Sequence, residues 1–220
     1  MFKLKKNKEK IFCISFQRTG TTSVGQFFKD HKYKVAGWNE SHKNNWAHYW
    51  HIGNYEKIFS SKDFKNNQVF EDSPWWHTNF YRFLFHEFPN SKFILLERNP
   101  DDWFNSMMSH SENKTLGNTQ IHCELYNRLD EFYDMQPTQS DLYSNKIDNL
   151  LSLNEAQRKL YVQIYKLRNK EIKLFFEKYD QSRLFTGNLY DKELWRKMGD
   201  FFNIKVAPNY KIHANKSLND

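Results

Sequence analysis

Three short segments carry side chains whose types and spacing could do chemistry. Residues 15–23 read Ser-Phe-Gln-Arg-Thr-Gly-Thr-Thr-Ser, between the apolar run Ile11-Phe12-Cys13-Ile14 and a helical pattern. Strand, tight turn and helix start together cradle an anionic phosphate, because glycine admits a close approach and the first helical amides point outward. Amides from Thr19 to Thr22, the hydroxyls of Thr21, Thr22 and Ser23, and the planar fork of Arg18 would be the donors. The loop departs from the G-x-x-x-x-G-K-[ST] pattern of ATP and GTP hydrolysis. Aligned on Gly20, the first glycine becomes Ser15, the lysine becomes Thr21, and the cation moves to Arg18.

Arg98 closes the second segment, after the apolar run Phe93-Ile94-Leu95-Leu96, and Ser106 lies eight residues on. An arginine at a strand end and a hydroxyl on the next helix can clamp a second phosphate; the same arginine could instead cap the sheet and pair with Asp101 or Asp102. In the third segment Glu71 and Asp72 end a short apolar stretch. Either could accept a proton, Asp72 first and Glu71 second. If the strand continues through them they point to opposite faces, so only one lines a cleft. Asp72 could also cap a helix behind Pro74. His48 and His51 stand three apart, with His42 and His77 elsewhere. Neither HExxH nor Cys-x-x-Cys accompanies them, so no metal is expected, and a histidine base from 42–51 stays open.

Alternating elements must position these groups. The pattern predicts a strand over 10–16, then a helix from Thr21 burying Val24, Phe27 and Phe28. A short strand follows at 33–36, and residues 39–60 show no clean period. Further strands are expected at 69–71, 92–97 and 184–186. A helix over 75–88 would bury Trp76, Phe80, Phe83 and Leu84. Asn99 suits an N-cap and Pro100 the first helical position. Ser152 to Glu155 reads as a capping box opening a helix to Tyr179, with Leu160, Ile164, Leu167 and Leu174 inward. Leu194, Met198 and Phe202 line a last helix. The implied fold is α/β, three layers (α/β/α) around a central parallel sheet, within one domain spanning 1–220. Ligands of such sheets sit at the carboxyl ends of the strands.

Composition agrees with one packed domain: 220 residues, 18% aromatic, only 7 Gly and 5 Pro. The net charge of +7 favours an anionic ligand, although a solvated lysine surface accounts for it equally well. Lys3, Lys5, Lys6, Lys8 and Lys10 read as a solvated lead-in. Cys13 and Cys123 lie far apart, Cys13 in a core strand, which points to a reducing compartment. No apolar run reaches the roughly 18 residues of a membrane span. A cytoplasmic protein without membrane or nucleic-acid partners is expected.

The first two segments together resemble the sulfotransferases that use 3′-phosphoadenylyl sulfate (PAPS). Phe16 to Ser23 is similar to the family's 5′-phosphosulfate loop, and Leu96 to Ser106 to its 3′-phosphate segment. Similarity extends over Glu71-Asp72-Ser73-Pro74-Trp75 and Phe88 to Leu96, and weakly over 180–188 and His213 to Ser217. The resemblance implies a P-loop NTPase-like sulfotransferase fold without a metal. It implies that Gln17, Arg18, Thr19, Gly20, Thr21, Thr22, Ser23, Arg98, Ser106 and, through a late basic contact, Lys216 hold the nucleotide. PAPS would be the co-substrate and adenosine 3′,5′-bisphosphate (PAP) the product, with Arg18 stabilising the transfer and Asp72 as base. The acceptor would be a small molecule or glycan. Two departures stand out: Arg18 replaces a common lysine, and no Arg-Lys-Gly segment occurs near the C-terminus. A P-loop kinase or NTPase and a non-catalytic nucleotide-binding relative are the competing readings.

Overall fold

Alternate residues of the central strands enter two different cores, as a sheet covered on both faces requires. In the computed structural model, which describes residues 9–135 and 148–212, Phe12, Ile14, Phe70, Phe93 and Leu95 pack on one side. Ile11, Cys13, Val69, Ile94 and Leu96 pack on the other. The strands are β1 (Ile11–Cys13), β2 (Val35–Ala36), β3 (Val69–Phe70), β4 (Lys92–Glu97) and β5 (Leu184–Asn188). All pair in parallel, in the order β2-β3-β1-β4-β5. The chain completes the β3 side of β1 before crossing to β4, so the end of β1 is the switch point where a ligand crevice opens.

The helices are α1 (Thr21–Asp30), α2 (Trp38–Lys43), α3 (Trp46–His51), α4 (Tyr55–Ser60), α5 (Lys62–Asn66), α6 (Phe80–Glu87), α7 (Pro100–His110), α8 (Thr119–Leu125), α9 (Leu129–Met135), α10 (Arg158–Tyr179) and α11 (Leu194–Phe202). Val24, Phe27 and Phe28 of α1 and Leu194, Met198 and Phe202 of α11 cover the second face. Trp46, Leu84, Trp103, Tyr165 and Phe176, from α3, α6, α7 and α10, cover the first. The three-layer α/β/α architecture is therefore the observed one.

Several expectations shift. The first strand ends at Cys13 because Ser15 Oγ enters the ladder, accepting from Leu96 N (2.7 Å) and donating to Ile94 O (3.2 Å). Lys10 is no solvated lead-in: it is buried, and its Nζ donates to the Phe64 and Asn67 carbonyls at 2.7 and 2.6 Å. Burial brings its pKa down to about 8. The other four lysines of that cluster lie outside the described residues. The segment without a period, 39–60, folds as short helices α2 to α4.

The helix expected from 75 starts at Phe80, because Trp75 N and His77 N first close turns onto Asp72 O and Pro74 O. Phe83 stays 38% exposed. At α7 the spacing reads true, with Asn99 Oδ1 accepting from the amides of Asp101 (2.9 Å) and Asp102 (3.3 Å). The capping box belongs to Asn154 and Gln157, which open a 3₁₀ turn before α10. The buried stripe of α10 is Tyr161, Tyr165, Arg168, Ile172 and Phe176. Leu167 and Leu174 are exposed, because an aromatic core draws the aromatic face inward.

Candidate active site

The loop after β1 is shaped by the chain itself. Thr19 Oγ1 donates to Phe16 O (2.5 Å), Trp103 Nε1 to Gln17 O (3.0 Å) and Arg98 Nη1 to Arg18 O (3.3 Å), which engages three successive carbonyls. The Phe16 ring sits among Trp76, Trp103, Tyr126 and Tyr165. The Arg168 guanidinium lies 4.7 Å from its centre and donates to Ile14 O. Arg18 and Gly20 both take left-handed conformations, at φ 65 and 90. Gly20 also needs its missing side chain, since a Cβ there would lie 2.7 Å from a Leu189 methyl. Gly20 caps α1 without a side-chain acceptor, leaving the positive helix end to the cleft. Thr19 is fully buried with its hydroxyl turned inward, whereas Gln17, Arg18, Gly20, Thr21, Thr22 and Ser23 line the cleft.

Two guanidinium groups meet at this loop. Arg18 Nε donates to Ser106 Oγ (3.3 Å). Arg98 Nη2 donates to the Tyr190 hydroxyl (3.0 Å), which in turn donates to Asp102 Oδ2 (2.9 Å). Burial first, and the charge of Arg98 second, lower the pKa of Arg18. Arg98 Nε is buried without a partner. Arg98 and Ser106 therefore share the cleft, but the hydroxyl is held by Arg18 rather than by Arg98. Tyr190 was not anticipated. Residue Glu97 faces Asn188 across β4 and β5, which brings Tyr190 beside Arg98, and its place just past the last strand end was the available signal.

On the other side of β1 the carboxylates sit together. β3 stops at Phe70 and Asp72 turns left-handed (φ 76), so Glu71 and Asp72 both line the cleft, contrary to the opposite-face expectation. Asp72 Oδ1 accepts from Ser73 N (2.6 Å). The residue does not cap α6, whose first residue is Phe80. Burial raises the Asp72 pKa above the ordinary carboxylate value. Glu71 is buried, and a Cβ on Gly37 would fall 2.5 Å from its Oε1. Burial above all, then the neighbouring Asp72, pushes its pKa up to about 8. Glu71 Oε2 has no partner.

The histidines divide. His51 Nδ1 lies 2.7 Å from Glu124 Oε2 outside the cleft lining, while His42, His48, His77, His110 and His122 line it. Among the described residues no group of three or more His, Cys, Asp or Glu side chains could hold a metal ion, and no helix is long and apolar enough to cross a membrane. Lys216 lies outside the described residues. Trp38 is 53% exposed at the rim, stacked on His42 at 4.9 Å. The whole cleft measures about 1280 Å³. That exceeds the roughly 300–1,000 Å³ of a single small-molecule pocket and leaves room for two ligands.

Paired arginines and a helix start share one crevice with paired carboxylates. A family model described as a sulfotransferase domain matches residues 10–216. The chain belongs to that sulfotransferase family, a class of transferases. No curated protein matches the chain at a significant level.

Proposed function

We propose that the protein transfers a sulfonate group from PAPS to a hydroxyl or amine of a small molecule or glycan, releasing PAP. The observation that carries this reading is the pairing of Arg18 with Arg98, whose buried Nε lacks a partner, opposite Asp72 in the same crevice. Cations this close fit two separate anionic groups on one nucleotide better than an empty cleft. Arg98 and Ser106 take the 3′-phosphate; Gln17, Arg18 and the segment Gly20 to Ser23 take the 5′ end, while Thr19, buried with its hydroxyl on Phe16 O, shapes the loop instead of touching the ligand. PAPS supplies an activated sulfonate whose leaving group is a phosphate.

Within the chain, Asp72 accepts the acceptor proton. Its raised pKa moves it toward the operating pH, which suits a general base. Arg18 and the α1 amides stabilise negative charge on the departing oxygen. Glu71, protonated at neutral pH, holds a proton beside Asp72 instead of removing one. The acceptor enters from the side of β2 and β3.

The test is incubation with ³⁵S-labelled PAPS and a panel of phenols, sugars and amines. Labelled product and stoichiometric PAP are expected without added metal. Turnover of ATP–Mg²⁺ with no sulfonate transfer would replace this reading with the kinase one.

A further inference from the structure

Ser73 follows Asp72 and lines the same cleft. Its polar atoms can be accounted for one by one. Its N–H donates to Asp72 Oδ1 (2.6 Å), and its carbonyl accepts from Ser41 Oγ (2.5 Å). Its Oγ lies 2.8 Å from His77 Nε2. His77 is 1% exposed and stands edge-on to Trp50 and Trp76, with ring centres at 4.3 and 4.6 Å. Its Nδ1 is buried without a partner. Burial, followed by the charges of Arg168 and His51, holds its pKa well below the usual value, so the ring is neutral.

A neutral imidazole carries one proton. Placed on Nδ1, it would be an orphaned buried N–H, which folded proteins avoid more strictly than an unmatched lone pair. Placed on Nε2, it is donated to Ser73 Oγ. The serine then accepts from His77 and keeps its own O–H to donate into the cleft beside the Asp72 carboxylate.

Resting on the sulfotransferase reading above, we propose that Ser73, oriented by His77, donates a hydrogen bond to the attacking atom of the acceptor and thereby selects hydroxyl acceptors over amines. A hydroxyl oxygen has two lone pairs and one proton. One lone pair accepts from Ser73, the proton goes to Asp72, and the second lone pair attacks sulfur. The new O–S bond forms as the S–O bond to the phosphate breaks, and that electron pair leaves with PAP. A neutral amine has a single lone pair. Accepting from Ser73 occupies it, and attack requires giving that bond up. Ser73 touches the reacting atom; His77 is a positioning residue.

Two readouts test this. In the ¹⁵N spectrum of the histidine-labelled protein, His77 should show its proton on Nε2; a proton on Nδ1 overturns the proposal whatever the enzyme does. In ³⁵S-transfer from PAPS, the matched pairs phenol with aniline and cyclohexanol with cyclohexylamine are compared. The wild type should favour the hydroxyl member. Ser73→Ala should lose about tenfold in hydroxyl kcat/KM and narrow the hydroxyl-to-amine ratio. His77→Phe should narrow the ratio likewise, and His77→Gln, which keeps an N–H, should restore it. Equal use of both members, or a ratio unchanged in Ser73→Ala, refutes the selection. PAP binding is measured in parallel on the wild type: its absence would bring down the donor assignment, whereas equal or preferred use of the amine with PAP binding intact would overturn only the role of Ser73.

Discussion

The two sides of β1 carry opposite chemistry on the same scaffold. Toward β4 and β5 the strand ends present Arg18, Arg98, Ser106 and Tyr190, and there Asp102 is the carboxylate among the described residues that lines the cleft. Toward β3 and β2 they present Glu71, Asp72, Ser73 and His77, with Trp38 and His42 at the rim. The first side is short of anions, and the second holds groups kept neutral or near neutrality by burial. Order in the sheet produces this division, because crossing from β3 to β4 leaves β1 between two edges of one crevice built from different parts of the chain. A reaction that moves an anionic group to a neutral acceptor needs that asymmetry: charge to hold the donor, and a desolvated base to activate the acceptor.

Substitutions on each side should fail differently. Asp72→Asn should give the largest effect, lowering kcat by about 10²–10⁴-fold while PAP affinity stays within about twofold of wild type. Arg98→Ala should do the converse, weakening PAP about 100-fold in calorimetric titration, as expected for lost charge-assisted bonds. Arg18→Lys keeps the charge but cannot hold Ser106 through Nε, and a drop of about tenfold in kcat with little change in PAP affinity is expected. If Asp72→Asn lost PAP or Arg98→Ala kept it, the division between the sides would collapse.

The smallest effect is on stability. Glu71 has a folded pKa of about 8 against 4.5 for the free side chain. Below pH 4.5 both states are protonated; above it the unfolded chain ionises first, so stability falls as pH rises, levelling off beyond about 8. Glu71→Gln removes this contribution. Its melting temperature should exceed wild type by a few degrees at pH 8 and match it near pH 4. The raised Asp72 acts in the same sense, so a shallower slope remains in the variant.

What the sequence disclosed about this site follows the range of the forces involved. The α7 start was readable because Asn99, Pro100, Asp101 and Asp102 are adjacent and their capping is local. The phosphate loop was readable because strand, glycine and helix start are contiguous. Tyr190 was not, since only the pairing of β4 with β5 brings it 92 residues along the chain to Arg98. Both carboxylates entered the cleft because Asp72 turns left-handed, which alternation along a strand cannot foresee. The buried face of α10 differs from its aliphatic spacing because Tyr161, Tyr165 and Phe176 compete for the core, and Arg168 is buried to reach the Ile14 carbonyl. Ser73 and His77 are not legible as a pair in the sequence, because four-residue spacing through a proline turn marks no regular element.

Arg18 and Arg98 should hold a nucleotide with two separate anionic groups, independently of metal. Calorimetric titration of the wild type with PAP, and with ATP in the presence of Mg²⁺, tests it most directly. Saturable PAP binding without added metal, tighter than that of ATP–Mg²⁺ and lost in Arg98→Ala, is the predicted result. Tighter binding of ATP–Mg²⁺, or PAP binding unaffected by Arg98→Ala, would contradict it.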